Sequence, residues 1–336
     1  MLKIKLYELE KHRNETTFRP LLLHVNLFRE IGVEFVKDGP CDFSFVGQAS
    51  IIDKKKSLEE SVENGISFLS KIKEPYFIFD GQDSATMIGT YEVAIRSNPI
   101  YILKSSLYKN KKDYLKKTVN GRTYWGEGNY SLPAIDIFEK VKLAHFNWLS
   151  TVNPNWVDYN ENKKYDVSLL LGRRDSDNFE HGVNQSISYN QHRNNLFNTV
   201  SDNFKSAKLA IGERLSRQDY LNTMYDCKII LAPFGFGEMM PRDLESAMFG
   251  CVLIKPDMSH IETLPNIYIP YETYIPCKHD FSDVNEKIEY ILSDYKNIQK
   301  TYTENLRRKY MEEYDPHKLV LYYYNIFKNL NGVVTE

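Results

Sequence analysis

The sequence predicts an α/β protein of two Rossmann-like domains that face a cleft, with helices at the C-terminus. The chain has 336 residues, which is long for one core and suits two domains of about 150 residues each. Short apolar runs alternate with amphipathic stretches, as they do in parallel-sheet domains. This pattern stops in a polar stretch and then begins again. We therefore expect an N-terminal domain at 1–150, a linker at 151–164, a C-terminal domain at 165–314 and a final helical segment at 315–336.

In the first half, apolar runs predict four strands, and amphipathic stretches predict the helices between them. The strands are expected at 3–9, 42–46, 76–79 and 100–103, and the helices at 19–31 and 57–72. Ser57 and Glu60 have the spacing of a helix-capping box. Residues 111–130 are polar and rich in Gly and Lys, which predicts a long surface loop, and residues 135–149 are expected to be helical.

The second half repeats the pattern and ends in three helices. Strands are expected at 166–171, 209–211, 228–232 and 251–254, and helices at 190–203, 216–225, 241–249, 284–293, 298–313 and 317–330. Open α/β sheets bind ligands at the carboxyl ends of their strands, beside helix N-termini. Two such domains predict a ligand cleft between them.

Composition limits the class of protein. The formal net charge of −2 provides no overall basic field for a long polyanion. The cysteines Cys41, Cys227, Cys251 and Cys277 form no C-x-x-C pair and join no histidine cluster, so we expect no zinc site. Cys227 and Cys251 lie in apolar runs and are expected to be buried, reduced thiols. Residues 1–5 lack a signal-peptide core, and no stretch approaches the roughly 20 apolar residues of a membrane span. These features predict a cytoplasmic protein without an integral membrane segment.

The most informative segment runs from residue 228 to 256. It predicts a strand, a loop containing Gly235 and Gly237, a helix start and a second strand. A helix N-terminus favours phosphate, and glycines let the backbone approach it closely. Arg242 lies in the first turn, where a guanidinium suits a diphosphate. Glu245, three residues later, can accept hydrogen bonds from the hydroxyls of a ribose. The alternative is an ordinary Arg–Glu surface pair at helical spacing.

The same segment resembles a known family. Arg242-Asp243-Leu244-Glu245, followed by Ala247 and Gly250-Cys251, resembles the donor-site signature of GT-B glycosyltransferases, in particular exostosin-like and group-1 enzymes. The resemblance implies that Glu245 binds the nucleotide ribose, that Arg242 contacts the diphosphate, and that the last helix returns to the first domain. Many group-1 enzymes carry a second Glu eight positions earlier. Here that position is Gly237, and Glu238 is one step out of register, so Glu238 is either a sugar contact or a solvated loop carboxylate.

Further donor contacts are expected where other strands end. Arg173 follows the first strand of the second half, His260 follows the strand at 251–254, and Lys104 ends a strand of the first half. Arg193 is a weaker candidate. Asp175-Ser176-Asp177 has the D-x-D form of a metal-binding motif, but it is a short pattern in a polar loop, so we predict no metal.

A catalytic base is expected in the first half. A buried strand ends directly in Asp80, and Asp83 follows it. Either carboxylate is a candidate to take the proton of the acceptor hydroxyl if the reaction inverts. The alternative is that both are capping residues, Asp80 at the turn of Gly81 and Asp83 at a helix start near Ser84.

The predicted function is metal-independent and cofactor-independent transfer of a hexosyl or pentosyl group from a UDP- or GDP-sugar to a glycan or glycolipid. A second possibility is a phage-type enzyme that glycosylates a modified base in DNA. A basic groove for it would come from Lys109, Lys111, Lys112, Lys116, Lys117 and Arg122. A third is a non-catalytic protein that binds a nucleotide or a sugar. A dinucleotide-dependent oxidoreductase is disfavoured because no G-x-G-x-x-G follows an early strand.

Overall fold

The computed structural model of the protein describes residues 1–147, 162–204, 207–212 and 215–328. Two parallel β-sheets, each flanked by helices, organise this part of the chain. The predicted linker at 151–164 and the end of the last predicted helix lie largely outside the described residues.

The first half forms a six-stranded sheet in the order β2-β1-β3-β4-β5-β9, in which every neighbouring pair is parallel. Its elements are β1 (Leu2–Tyr7), α1 (His12–Leu22), α2 (Val25–Glu30), β2 (Val33–Val36), β3 (Phe43–Gly47), α3 (Gln48–Ile51), α4 (Leu58–Leu69), β4 (Tyr76–Asp80), α5 (Thr90–Ser97), β5 (Ile102–Lys104), β6 (Ser106–Tyr108), β7 (Thr118–Val119), β8 (Arg122–Glu127) and β9 (Val141–Leu143). The capping box predicted for α4 is partly formed, since Ser57 accepts a hydrogen bond from the backbone N–H of Glu60.

The second half forms a five-stranded sheet in the order β13-β10-β14-β15-β17, also parallel throughout. Its elements are β10 (Tyr165–Leu169), β11 (Phe179–Glu180), β12 (Val183–Asn184), α6 (Gln185–Asn203), β13 (Leu209–Ile211), α7 (Arg217–Tyr225), β14 (Cys227–Leu231), α8 (Pro241–Met248), β15 (Val252–Pro256), β16 (Ile261–Thr263), β17 (Ile275–Cys277), α9 (Val284–Ser293), α10 (Tyr295–Glu313) and α11 (Pro316–Lys328). The strand order reverses at β10, whose neighbours are β13 on one side and β14 on the other. The crevice between β10 and β14 is therefore the switch point at which open α/β sheets bind ligands.

Three predicted segments differ from the structure. Residues 111–130 do not form a surface loop: they contain a short 3-10 helix and the antiparallel hairpin of β7 and β8. Residues 136–143 form a second 3-10 helix and the edge strand β9, where a longer helix was expected. The predicted helix at 19–31 is divided into α1 and α2, and α1 contains Pro20.

The two halves contact each other at several places. β6 of the first half pairs with β16 of the second, and the backbone N–H of Phe146 donates to the carbonyl of Leu264. The helix α11 packs against the first half, where Tyr323 and Phe327 join a cluster with Phe28. The Tyr323 hydroxyl also accepts a hydrogen bond of 3.0 Å from the backbone of His145.

Burial agrees with the expectations for the thiols. Cys227 and Cys251 are buried, as predicted, and Cys277 is buried too. Across the described ranges, no helix has the length and apolar character needed to cross a membrane.

Candidate functional site

Arg242 lies at the switch point of the second sheet. Pro241 starts α8 at a position that suits proline, and the following Arg242 points back at the ends of two strands. Its Nη1 donates to the carbonyl of Leu231 at 3.1 Å, and its Nη2 donates to that of Leu170 at 2.8 Å. The guanidinium therefore joins the carboxyl ends of β14 and β10, where the resemblance predicted an anion site.

A second buried guanidinium lies beside this position. Arg193 of α6 is only 2% exposed, and its Nη1 donates to the carbonyl of Gly172 at 3.3 Å. Its Nε has no hydrogen-bond partner, and the group lies 4.3 Å from the centre of the Tyr189 ring. Burial, together with the charges of Arg242 and Arg174, lowers the pKa of Arg193 to about 10. No carboxylate of the described residues pairs with Arg193 or Arg242. We call Arg174, Arg193 and Arg242 the arginine cluster.

Glu245 lies one turn after Arg242 and is 3% exposed. One carboxylate oxygen accepts a hydrogen bond from Arg217, and the other accepts one of 3.0 Å from the Tyr220 hydroxyl. The Arg242–Glu245 ion pair that the spacing allowed is thus replaced by other contacts. The Arg217 side chain is 65% exposed, so it can leave the carboxylate at little cost.

The start of α8 rests on a buried ion pair that the sequence pattern does not predict. Asp243 accepts hydrogen bonds from the backbone of Met240 at 3.0 Å and from the Tyr268 hydroxyl at 2.6 Å. Lys255, which has no exposed surface, lies 3.1 Å from the same carboxylate. These contacts fix the first turn, which carries Arg242 toward the strand ends.

The loop at 232–240, which precedes α8 and which we call the glycine loop, has different surroundings at Gly235 and at Gly237. A Cβ at Gly235 would meet the Arg193 guanidinium at 3.6 Å, the Tyr189 ring at 3.7 Å and the Met240 side chain at 3.8 Å, so this side of the loop faces the arginine cluster. A side chain at Gly237 would meet the backbone carbonyl of Asp83, at 1.6 Å. Both glycines are expected from the sequence to let the backbone approach a phosphate closely. At Gly237 the closely approaching group is instead the backbone of the first half.

Glu238 is a contact between the two halves and not a solvated loop residue. It has no exposed surface, and one oxygen accepts a 3.0 Å hydrogen bond from the backbone N–H of Ala85. The other oxygen has no hydrogen-bond partner. Burial raises the pKa of Glu238, although Lys104 and Arg122 lie near enough to oppose this shift.

The hairpin of β7 and β8 covers the glycine loop from the first half. Nε of Arg122 donates to the carbonyl of Phe236 at 2.8 Å, and its Nη1 donates to Glu180 at 2.7 Å. The Tyr124 hydroxyl lies 3.4 Å from the carbonyl of Gly235. The hairpin therefore covers residues 235–238 of the glycine loop on this side. The arginine cluster lies on the other side of the loop.

Asp80 and Lys104 form a buried pair at the ends of β4 and β5. Neither has exposed surface, and their nearest atoms lie 3.3 Å apart. Asp80 also accepts hydrogen bonds from the backbone of Gln82 at 3.0 Å and from Thr90 at 2.7 Å, and Lys104 donates to the carbonyl of Ser84 at 2.6 Å. The pair thus holds the segment 82–84, and neither side chain is exposed to solvent.

Three other predicted residues lie in separate places. Asp83 is partly exposed and lies against Gly237. Arg173 is exposed and contacts α6 through Asn194, at 3.3 Å, and Phe197. His260 lines a cavity of about 380 Å³ between the two halves. The structure therefore brings Arg242, Glu245 and Gly235 together with Arg193, and it places Arg173 and His260 outside this group.

The basic cluster at 109–122 is smaller than the sequence suggested. Arg122 is buried, Lys111 pairs with Glu262 at 3.3 Å, and Lys116 pairs with Asp113 at 2.7 Å. In the D-x-D segment, Asp177 accepts a hydrogen bond from Asn184. No three His, Cys, Asp or Glu side chains in the described ranges are placed to hold a metal ion.

Comparisons with known proteins give the fold. No protein-family model and no curated protein sequence matches the chain. Among solved structures, it is similar to HepE of Anabaena in complex with UDP, with a TM-score of 0.53, 10% identity, and coverage of 98% of this chain and 100% of HepE. It is also similar to sucrose-phosphate synthase of Thermosynechococcus elongatus, with a TM-score of 0.51, 10% identity, and coverage of 99% and 100%. The two sheets, the C-terminal helices and these likenesses establish that the chain has the predicted GT-B fold.

Proposed function

We propose that the protein is a glycosyltransferase that moves a sugar from a UDP- or GDP-sugar to a glycan or glycolipid acceptor. The observation that carries the proposal is the pair of buried guanidiniums, Arg193 and Arg242, at the switch point of the second sheet without a carboxylate partner among the described residues. The likeness to HepE, which was solved with UDP, supports a nucleoside diphosphate as the ligand.

The charge of the arginine cluster explains why a diphosphate fits. Removing a cation from water costs several kcal/mol when no opposite charge compensates, and a bound diphosphate would supply that charge. The leaving diphosphate gains negative charge as the glycosidic bond breaks. Fixed guanidiniums aimed at it lower the energy of the transition state without a metal ion.

Glu245 is the proposed ribose contact. Its carboxylate lies one helical turn from Arg242, and its present partners are Arg217 and Tyr220. When a nucleotide binds, the exposed Arg217 moves away and the carboxylate accepts hydrogen bonds from the ribose hydroxyls instead. The carboxylate is held in place meanwhile by Tyr220.

The acceptor side is proposed to lie in the first half. Asp83 is the proposed base because it is partly exposed and touches the loop that precedes α8. Asp80 and Lys104 are positioning residues, since they hold the segment that carries Asp83. Glu238, buried with one oxygen unpaired, is proposed to face the transferred sugar when the halves open.

A thermal-shift titration tests the donor site. UDP, GDP, ADP and their sugar conjugates are added to the wild type, Arg193→Met, Glu245→Ala and Arg96→Met, a control that removes an exposed arginine paired with Glu63. A ligand that binds only the folded state raises the melting temperature. We expect UDP or GDP to do so, with a chelator having no effect.

The loss of a charge-assisted hydrogen bond costs about 1.5–3 kcal/mol, so Arg193→Met should weaken binding by roughly 10- to 150-fold. The control should bind like the wild type. Equal shifts in Arg193→Met and Arg96→Met would overturn the assignment of the donor site. A non-catalytic protein would bind the nucleotide sugar and release no free nucleotide in the presence of any acceptor.

A further inference from the structure

Arg122 of the first half holds two segments of the second half. Its Nε donates to the carbonyl of Phe236 in the glycine loop at 2.8 Å, and its Nη1 donates to the side-chain oxygen of Gln185, the first residue of α6, at 3.1 Å. Arg122 is only 2% exposed, and Gln185 is 1% exposed. The ion pair with Glu180 compensates the charge of Arg122. The other two contacts satisfy further donors with groups from the two segments that border the arginine cluster.

The first of these segments, α6, leads directly to the arginine cluster. Gln185, Tyr189 and Arg193 are spaced four residues apart, so their side chains lie on one face of the helix. All three are at least nine-tenths buried. The Arg193 guanidinium lies 4.3 Å from the centre of the Tyr189 ring. This row of side chains therefore begins at the contact with Arg122 and ends at a guanidinium of the proposed donor site.

The second segment, the glycine loop, reaches the same tyrosine. The ring of Phe236 stacks on that of Tyr189, with centres 4.7 Å apart and planes 20° apart. Arg174 of the arginine cluster lies 5.3 Å from the centre of the Phe236 ring. Phe236 is therefore held through its carbonyl by the first half, while its ring contacts a member of the arginine cluster.

Trp125 lies beside both ends of the contact between Arg122 and the glycine loop. It follows Arg122 by three residues on β8, and its ring centre lies 4.6 Å from the Arg122 guanidinium. The rings of Trp125 and Phe236 lie 6.2 Å apart in an edge-on arrangement. A displacement of Arg122 or of Phe236 therefore changes the surroundings of this indole.

We propose that Arg122 is a positioning residue for the donor site, and that its contacts fix the positions of Arg193 and of the glycine loop from the opposite half of the protein. The identity of the ligand rests on the proposed function, in which a nucleoside diphosphate binds the arginine cluster. A donor held in place in advance binds more strongly, because less ordering is paid for on binding. The site is complete only while the two halves are in contact, and by linkage a bound nucleotide strengthens that contact.

Binding of UDP, GDP and inorganic pyrophosphate, measured by calorimetry, provides the first test. Arg122→Lys keeps a charge beside Glu180 and loses the separate Nε and Nη donors of the guanidinium. Lys54→Met is the matched control: Lys54 contacts the same carboxylate from the first half, at 2.6 Å, and its removal leaves the contacts of Arg122 with Phe236 and Gln185 in place. We expect Arg122→Lys to weaken binding by roughly 5- to 30-fold, a range reached by residues that act without touching the ligand. Lys54→Met should change binding by less than about twofold.

A spectroscopic signal tests the same proposal in the wild-type chain. The chain has three tryptophans, and after labelling with 5-fluorotryptophan the variant Trp125→Phe assigns the ¹⁹F resonance of Trp125. We expect UDP or pyrophosphate to shift this resonance, although Trp125 belongs to the first half, and we expect a smaller shift in saturated Arg122→Lys. The wild-type measurement does not depend on whether Arg122→Lys folds.

The results separate this inference from the proposed function. If UDP or GDP binds but Arg122→Lys binds it no more weakly than Lys54→Met does, the inference is wrong and the donor site stands. The same holds if a bound nucleotide leaves the Trp125 resonance in place. If pyrophosphate binds as tightly as any nucleotide and shows the expected effect of Arg122→Lys, the inference holds and the proposed nucleotide-sugar function is refuted. Failure of all three ligands to bind refutes both.

Discussion

Replacing Gly237 with alanine tests whether the loop before α8 is shaped by the first half or by a ligand. The added Cβ would lie 1.6 Å from the carbonyl oxygen of Asp83 and 2.0 Å from its carbonyl carbon. Because non-bonded heavy atoms stay about 3 Å or more apart, the two backbones must separate by at least about 1.4 Å. The 3.0 Å hydrogen bond from Ala85 to Glu238 then exceeds hydrogen-bonding distance.

The expected cost is that of overpacking, about 1–3 kcal/mol, together with an uncompensated buried carboxyl at Glu238. Gly235→Ala is the matched control, because its Cβ would meet its nearest neighbour at an ordinary 3.6 Å. Circular dichroism melts should place Gly237→Ala several degrees below Gly235→Ala, and small-angle scattering should give it a larger radius of gyration. If the two variants melt within about 1 °C of each other, the reasoning about this contact is refuted.

Two further predictions concern buried ion pairs. Burial alone would raise the pKa of Glu180, but Arg122 and Lys54 hold this pKa well below its usual range. The ionised Glu180 therefore stabilises the protein at pH values above its unfolded pKa of about 4.3, and this stabilisation is lost as the pH falls. Glu180→Gln should therefore lower the free energy of unfolding by roughly 3 kcal/mol at pH 7 and by a smaller amount at pH 3. Urea melts that give the same difference at both pH values would contradict this. Lys255→Met leaves Asp243 buried without its cation and should cost about 3–5 kcal/mol. Asp243→Asn in the same chain should recover part of that loss, and an additive double variant would show that the two charges do not interact.

The strands were largely predictable because parallel strands buried on both faces are continuous apolar runs. The hairpin of β7 and β8 was not predictable, because most of its inward-facing residues are polar. Every second residue from 118 to 124 is buried, yet three of those four, Thr118, Asn120 and Arg122, are polar. Hydrophobic periodicity detects a strand only when the inward residues are apolar. Arg122 is buried because Glu180, far along the chain, neutralises it.

The residues of the candidate site were likewise predictable only in part. Arg242 and Glu245 could be proposed because their relation is local to one helix. Arg193 was only a weak candidate, since its neighbours belong to α8 and to the loop after β10. Asp80 and Lys104 occupy opposed positions in neighbouring strands, so their pairing could be inferred only from the order of strands in the sheet. Sequence spacing identified the groups within one element and missed those that depend on how elements are assembled.

The return of α11 to the first half has a practical consequence for dividing the molecule. Tyr323 and Phe327 are fully buried among side chains of the N-terminal sheet and its helices. An isolated fragment comprising residues 1–147 would leave Phe28 and Phe45 without these covering rings and expose a patch of aromatic surface to water. The C-terminal helix must therefore accompany the first half in any two-piece or fused version of the protein.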